Sequence, residues 1–221
     1  MASTSSQPQS LTAQLAALSS HFSTVAPPAL AASIASIVKN FSAATAIQPN
    51  TPFPAFTLPN AVGEPVSLAS LLADGKPVLI TFYRGSWCPY CNLALRSLSA
   101  HADAFAAKGV TLVAISPELS DGSLSLKEKA GLKFEVLSDG GNELARKLGL
   151  VWKLGDEVSE MMKGFGIDLE KSNGEGEGAW EVPVPANILV DGKGVVRKVW
   201  VNADYRERLE PEVMLGWVDE L

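Results

Sequence analysis

The run "PVLITFYR" (77–84) is apolar almost throughout and leads within a few residues to Cys88 and Cys91, the only two cysteines of the chain. This junction constrains the fold more than any other feature. A continuous apolar run of that length, ended by a Gly-Ser turn, suits a strand buried on both faces. Pro89 is suited to a first helical position because its missing N–H is not needed there, and Leu95, Leu98, Ala102 and Phe105 then recur at helical spacing. A helix over about 88–107 follows the strand directly. The same arrangement recurs in "VTLVAIS" (110–116) with a helical segment near 123–131, and in "FEVLSD" (134–139) with a helix near 141–148. "PANILVDGKGVVRKVWV" (185–201) then reads as two strands about an Asp-Gly-Lys-Gly turn, and an amphipathic helix near 210–220 closes the chain. Strand and helix in alternation, followed by a hairpin, specify an α/β fold with a mixed central sheet flanked by helices.

Three regions are expected along the chain. Residues 1–9 offer nothing apolar to bury and are expected to be disordered. Residues 10–50 carry Leu11, Leu15, Leu18 and Phe22, then Leu30, Ile34, Ile37 and Phe41, with Pro27 and Pro28 between the two sets. Both sets fall at i, i+4, i+7 and i+11, which predicts an N-terminal helical hairpin extension packed on the main domain or on another subunit. His21 lies beside its apolar face and reads as a solvated or hydrogen-bonded side chain. Residues 51–221 form one domain. It opens with "FPAFTLPNAVGEPVSL", an edge strand, a glycine turn and a return, after which Ser67 caps a short helix over Leu68–Leu72. The segment 169–180, "LEKSNGEGEGAW", reads as a polar, glycine-rich loop, and no internal repeat is visible.

Charge and composition narrow the partners. A net charge of −6 gives no electrostatic reason to bind nucleic acid or an anionic membrane. No stretch is long and apolar enough for a membrane span. Residues 1–60 contain Lys39 as their single Lys or Arg, so the Arg-rich pattern of a transit peptide is missing, although Ser and Ala abound. The expected compartment is the cytoplasm. Two cysteines in 221 residues are not a disulfide scaffold and have to be understood locally.

Placement at a helix start makes the two thiols inequivalent. Cys91 shares a seam with Leu95 and Leu98, whereas Cys88 is expected at the helix mouth, where unpaired backbone N–H groups and the positive dipole end meet solvent. A thiol there is expected to ionise well below its usual value of about 8.5, with Arg84 adding to the effect. Cys91 is expected to stay a buried thiol until a disulfide forms. Zinc would need two further ligands, and the only histidines are His21 and His101. His101 lies about 15 Å along the helix from Cys91 at about 1.5 Å per residue, so no metal is expected. Residues at i and i+3 of a first helical turn do fall within the Cα separation of about 4.4–6.8 Å that a disulfide accepts. A cycling disulfide is the expected chemistry; two inert core cysteines are the bland alternative.

"FYRGSWCPYCN", with "FPAFTLPNAVGEPVSLASLL" before it, resembles peroxiredoxin-like proteins of the AhpC/TSA family, in the thioredoxin-fold branch with Cys-x-x-Cys. The resemblance continues through "VAISPE" (113–118), "FEVLSDGGNELARKLGL" (134–150) and "VPANILVDGKGVVRKVWVNADYRERLEP" (184–211). It implies a thioredoxin-like fold. It also implies that Pro185 is a cis-proline facing the redox pair, with Pro183 as the competitor. The family's Pro-x-x-x-Thr/Ser-x-x-Cys signature is not kept, because Thr81 and Gly85 stand at its first two positions. Ser86 or Thr81 is then the substitute hydroxyl for orienting a peroxide, and Ser86 also suits a plain turn. Arg84 is the nearest candidate for the family's arginine, with Arg146 and Arg197 as alternatives. Trp87 and Tyr90 flank the pair and suit either partner docking or packing. "CPYC" itself resembles the glutaredoxin active site.

Two activities follow. In the first, a thiol peroxidase reduces hydrogen peroxide or organic hydroperoxides through a Cys88 sulfenic acid resolved by Cys91, with thioredoxin or glutathione restoring the dithiol. In the second, a thiol–disulfide oxidoreductase acts on a protein or small-molecule disulfide with no peroxide step. Neither requires a bound cofactor beyond that external thiol reductant, and the resemblance is compatible with a homodimer.

Overall fold

The computed structural model describes residues 9–25, 27–176 and 178–221. All but Gln9 of the stretch expected to be disordered lies outside the described residues. Helices α1 (Leu11–Val25) and α2 (Pro28–Asn40) form the expected N-terminal pair. Pro28 occupies the first turn of α2, and Pro27 before it is held extended. Strands β1 (Thr57–Pro59) and β2 (Pro65–Ser67) pair antiparallel, and α3 (Leu68–Leu71) follows. Ser67 and Ser70 form a reciprocal capping box at the start of α3.

The central alternation runs β3 (Val78–Phe82), α4 (Pro89–Ala100), α5 (Ala102–Ala107), β4 (Thr111–Ser116), α6 (Ser120–Ala130), β5 (Glu135–Ser138) and α7 (Glu143–Lys147). Gly131 ends α6 in the left-handed conformation (φ 61°) that favours glycine. The buried Asp139 carboxylate accepts from the N–H groups of Leu144 (2.9 Å) and Ala145 (2.8 Å) at the start of α7. The chain continues through β6 (Val151–Lys153), α8 (Asp156–Gly164), α9 (Leu169–Asn173), β7 (Glu181–Pro183), β8 (Ala186–Val190), β9 (Val196–Val201) and α10 (Pro211–Val218). In the β8–β9 turn the Asp191 carboxylate accepts from the N–H groups of Lys193 and Val195, both at 2.9 Å.

Five strands form one mixed sheet in the order β5-β4-β3-β8-β9. The pairs β3–β4 and β4–β5 are parallel; β3–β8 and β8–β9 are antiparallel. Alternation along β3 divides the interior. Val78, Ile80 and Phe82 join a core with Leu68, Leu144 and Leu148, while Leu79 and the following Tyr83 join the core on the opposite face, with Leu95, Leu98 and Phe105. Both cysteines belong to that second core, as do Leu11, Leu15 and Ile34 of the N-terminal helices. The extension therefore packs on its own chain. Its α1 lies along α4, and the Glu210 carboxylate accepts from Leu11 N–H (3.2 Å) and Thr12 N–H (2.7 Å) at the start of α1.

Three features depart from the sequence expectation. The long helix breaks at His101, whose N–H turns back to Leu98 carbonyl oxygen (3.1 Å) and whose ring faces the Ser97 carbonyl and Glu212. The segment 169–180 is not all loop, since its first residues form α9, where the Asp168 side chain accepts from Glu170 N–H. Leu169 is buried there with Leu154, Val158, Met162 and Val182, and this small cluster accounts for α8, α9 and the β6–β7 ribbon together. Finally, no cis peptide bond occurs among the described residues, so Pro185 and Pro183 are both trans.

Candidate active site

Strand β3 delivers the chain to the mouth of α4, and the segment between them is built around Gly85. Its φ is 147°, and a Cβ there would lie 2.3 Å from Trp87 Nε1, so only glycine fits. Cys88 is the residue before the first turn of α4, in extended backbone, and its N–H reaches Gly85 carbonyl oxygen (3.2 Å). Asn92 Nδ2 donates back to the Ser86 carbonyl (2.8 Å), tying the turn to the helix.

Cys88 and Cys91 are both reduced, and both are buried, at 1% and 0% exposure. The expectation of a water-facing Cys88 is overturned. The N-terminal helices and Tyr205 cover the helix mouth, and Tyr90, between the two cysteines, is buried beneath α1. Ser19 donates to the Tyr90 hydroxyl (3.3 Å), and the Tyr90 ring lies 6.1 Å from Phe22 and 5.7 Å from Tyr205. Tyr90 is thus a packing residue under the extension, not an exposed docking aromatic.

The order of acidity expected from the sequence is also reversed. Burial pushes the Cys88 thiol up, as do its hydrogen bond to Cys91 and the charge there, against the smaller opposing effects of Arg84 and Arg208. Burial opposes ionisation of Cys91 too, but the hydrogen bond from Cys88, the Arg208 charge and the Arg84 backbone and side chain bring it down to about 5. A charge on either sulfur opposes one on the other. Arg208 Nη2 donates to Cys91 Sγ at 3.2 Å.

Arg84 is only 5% exposed, with its guanidinium 3.9 Å from the Tyr205 ring centroid and 4.8 Å from that of Trp87. It lines a crevice with Ser33, Ile37, Trp152, Pro185 and Tyr205. The cavity volume of about 10 Å³ is one water's worth. Pro185 therefore does lie beside the site, though in the trans form. Trp87 is half-buried between the site core and the α8–α9 cluster, and its buried Nε1 has no hydrogen-bond partner among the described residues.

The two candidate hydroxyls are placed differently. Thr81 is buried inside β3, in register with Ala114 and Asn187, and not in the turn. Ser86 lies in the turn but is engaged: its N–H and Oγ donate to the two oxygens of Glu118, each at 2.7 Å. Glu118 is 2% exposed, and burial pushes its carboxyl above the usual range despite those hydrogen bonds. The alternative arginines are committed elsewhere, Arg146 to Glu181 and Arg197 to Asp191.

Glu118, Tyr205 and Arg208 are site residues that reasoning from the sequence did not single out. Each stands in a segment that carries the family resemblance, "VAISPE" or "NADYRERLEP". A charged residue directly after an apolar strand run was the one local signal, and it pointed to Glu118.

Comparison with known proteins follows the same lines. The sequence model described as "AhpC/TSA family" matches residues 49–199. The chain belongs to the AhpC/TSA family. Among its relatives, a putative peroxiredoxin bcp of Buchnera aphidicola is 33% identical over 123 residues, which is 56% of this chain and 75% of that one. Peroxiredoxin Bcp of Escherichia coli K12 is 27% identical over 167 residues, covering 76% and 92%. The chloroplastic peroxiredoxin Q of Sedum lineare is 33% identical over 51% of this chain and 59% of its own. The fold of this AhpC/TSA protein matches the crystal structure of peroxidoxin BcpB from Mycobacterium tuberculosis, with a TM-score of 0.61 at 18% identity over 79% and 98% of the two chains. That of Enterococcus faecalis AhpC matches with a TM-score of 0.60 at 16% identity over 78% and 90%. This AhpC/TSA protein has the thioredoxin-like peroxiredoxin fold and is a thiol-dependent peroxidase, an oxidoreductase. A disulfide exchange enzyme without a peroxide step is not favoured.

Proposed function

We propose that this protein reduces hydrogen peroxide or organic hydroperoxides with Cys88 as the attacking sulfur and Cys91 as the resolving one. The observation that carries this reading is the reduced, buried cysteine pair at the start of α4, with Arg208 Nη2 3.2 Å from Cys91 Sγ and Arg84 close by in the same buried site. As a peroxide enters beside Arg84, the Cys88 proton passes to Cys91 and the Cys88 thiolate attacks the terminal oxygen. The O–O bond breaks, and the departing alkoxide or hydroxide takes the proton back from Cys91. Cys88 is then a sulfenic acid. The regenerated Cys91 thiolate attacks its sulfur, the S–S bond forms, and hydroxide leaves to be protonated by water. An external thiol, thioredoxin or glutathione, restores the dithiol by exchange.

Arg84 serves in this scheme as the positive charge facing the breaking O–O bond, with Trp87, Tyr205 and Pro185 shaping the entry. Ser86 and Glu118 hold the turn that presents Cys88, and Thr81 has a packing role. Residues 51–221 are the AhpC/TSA domain, and residues 10–50 are an extension laid over its active site. Among the described residues no helix is long and apolar enough to cross a membrane. A reduced dithiol that cycles through a disulfide suits a compartment that keeps thiols reduced, and we place the protein in the cytoplasm.

The test is direct. Reduced protein mixed with hydrogen peroxide or an organic hydroperoxide loses two thiols per molecule, far faster than free cysteine does. Cys91→Ser stops at a trappable sulfenic acid, and Cys88→Ser does not react. A rate no faster than free cysteine, or full reactivity in Cys88→Ser, overturns the assignment.

A further inference from the structure

Arg206 and Arg208 stand on the same loop before α10, with opposite fates. Arg206 is paired with Asp204, through Nε at 2.9 Å and Nη2 at 2.7 Å. Arg208 directs Nη1 at the carbonyl oxygens of Tyr205 and Glu207, and Nη2 at Cys91 Sγ. Asp204 is held by Arg206, and Arg208 keeps a donor for the sulfur. The carbonyls fix the arginine on one side and leave a single donor aimed at one atom.

A buried sulfur anion needs such a donor. Cys91 is fully buried, and the ionisable groups that bear on it are Cys88, Arg84, Arg208, Glu118 and Tyr83. An ionised Glu118 opposes a negative charge at Cys91, whereas burial keeps the Tyr83 hydroxyl neutral. Arg84 has its guanidinium over the Trp87 and Tyr205 rings and makes no side-chain hydrogen bond to Cys91 among the described residues. Among the described residues, Arg208 is the one cation with a side-chain donor at hydrogen-bond distance from the Cys91 sulfur.

We propose that Arg208 is a catalytic residue that holds the resolving sulfur, Cys91, as the anion that closes the disulfide. This rests on the assignment of Cys91 as resolving cysteine made above. In the step concerned, the Cys91 thiolate forms the S–S bond to Cys88 as the S–O bond of the sulfenic acid breaks. Hydroxide leaves and takes a proton from water. No other oxidant or reductant is consumed, and the arginine gains no proton and loses none. Once the disulfide has formed, the Arg208 donor faces a neutral sulfur, so its contribution is specific to the dithiol and sulfenic states.

Two measurements on Arg208→Met separate this proposal from the peroxidase reading. First, in a Cys88→Ser background, ultraviolet thiolate absorbance against pH reports Cys91 ionisation with no peroxide present. Adding Arg208→Met is expected to move that ionisation up by about one pH unit or more, the size of a lost charged hydrogen bond, with Arg208→Lys in between and Arg206→Met without effect. Second, in the two-cysteine protein at neutral pH, Arg208→Met is expected to slow disulfide closure by about tenfold or more. The slow step should recover as pH is raised, and Cys88 should accumulate as sulfinic acid at high peroxide, while the first oxidation is much less affected. A merely structural arginine would give no recovery with pH. If Arg208→Met does not fold, Arg208→Lys and Arg208→Gln carry the same comparison. An unchanged Cys91 ionisation overturns the role of Arg208 whatever the peroxide result. A shifted ionisation in a protein that does not consume peroxide upholds the Arg208 contact and overturns the peroxidase assignment.

Discussion

Substituting Gly85 by alanine tests whether the turn before Cys88 is built as described. Two costs add. The backbone at φ 147° lies in a region essentially reserved for glycine, worth about 1–3 kcal/mol for another residue. The new Cβ would also stand 2.3 Å from Trp87 Nε1 and 2.7 Å from Trp87 Cδ1, so the indole has to move. In moving it abandons the Arg84 guanidinium 4.8 Å from its ring centroid, an interaction of about 0.5–2 kcal/mol. The expected loss is about 3 kcal/mol of folding stability, read as a lower urea midpoint with the slope unchanged. In a Trp87→Ala background the steric part disappears, and the same Gly85→Ala change is expected to cost about half as much. Because Arg84 loses the Trp87 ring that helps hold it, the reaction of Cys88 with peroxide should slow as well. A stability loss below about 1 kcal/mol, or an equal loss with and without Trp87, would refute the geometry argued for this turn.

Other outcomes follow from the same structure. Arg84→Met should leave the fold largely intact and slow Cys88 oxidation by about tenfold or more, measured by stopped-flow thiol loss; an unchanged rate removes Arg84 from the chemistry. Glu118 titrates above its ordinary value of 4.5 in the folded protein, so the fold binds its proton more tightly than the unfolded chain does. Stability of the native protein relative to Glu118→Gln should therefore fall as pH rises from about 4.5 through the folded-state value, then level off; urea midpoints across that range would show a rise or a flat line if the carboxyl is not buried as described. Glu210→Gln weakens the anionic cap at the start of α1 and should cost about 1 kcal/mol, with faster amide exchange confined first to the N-terminal helices.

What the sequence made legible was the part encoded by local pattern. The apolar runs containing Val78–Phe82, Thr111–Ser116 and Ala186–Val190 declare strands on their own, and Pro89 and Ser67 mark helix starts by their own backbone chemistry. The ribbon of Val151–Lys153 with Glu181–Pro183 was not legible, because its two halves are short, half-buried and separated by two helices. The same limit applied to the site. The cysteines and Arg84 are adjacent in sequence, but Arg208 meets Cys91 across 117 positions and Glu118 meets Ser86 across 32. Cys88 was expected in water because helix mouths usually face it; the covering side chains come from the far ends of the chain. The trans form of Pro185 is the ordinary state of an X–Pro bond, and the cis expectation came from the family resemblance alone.

The helices laid over the sulfurs also govern how reaction rates should scale with reactant size. A reactant about the size of water is the least hindered, since the crevice beside Arg84 has a volume of about 10 Å³. A bulky alkylating reagent or a folded protein has to wait for the roof to lift, so its observed rate is its intrinsic rate multiplied by the open fraction. Weakening the attachment of α1 would then accelerate large reactants in proportion while leaving small ones nearly untouched, and the ratio of the two rates measures the free energy of opening.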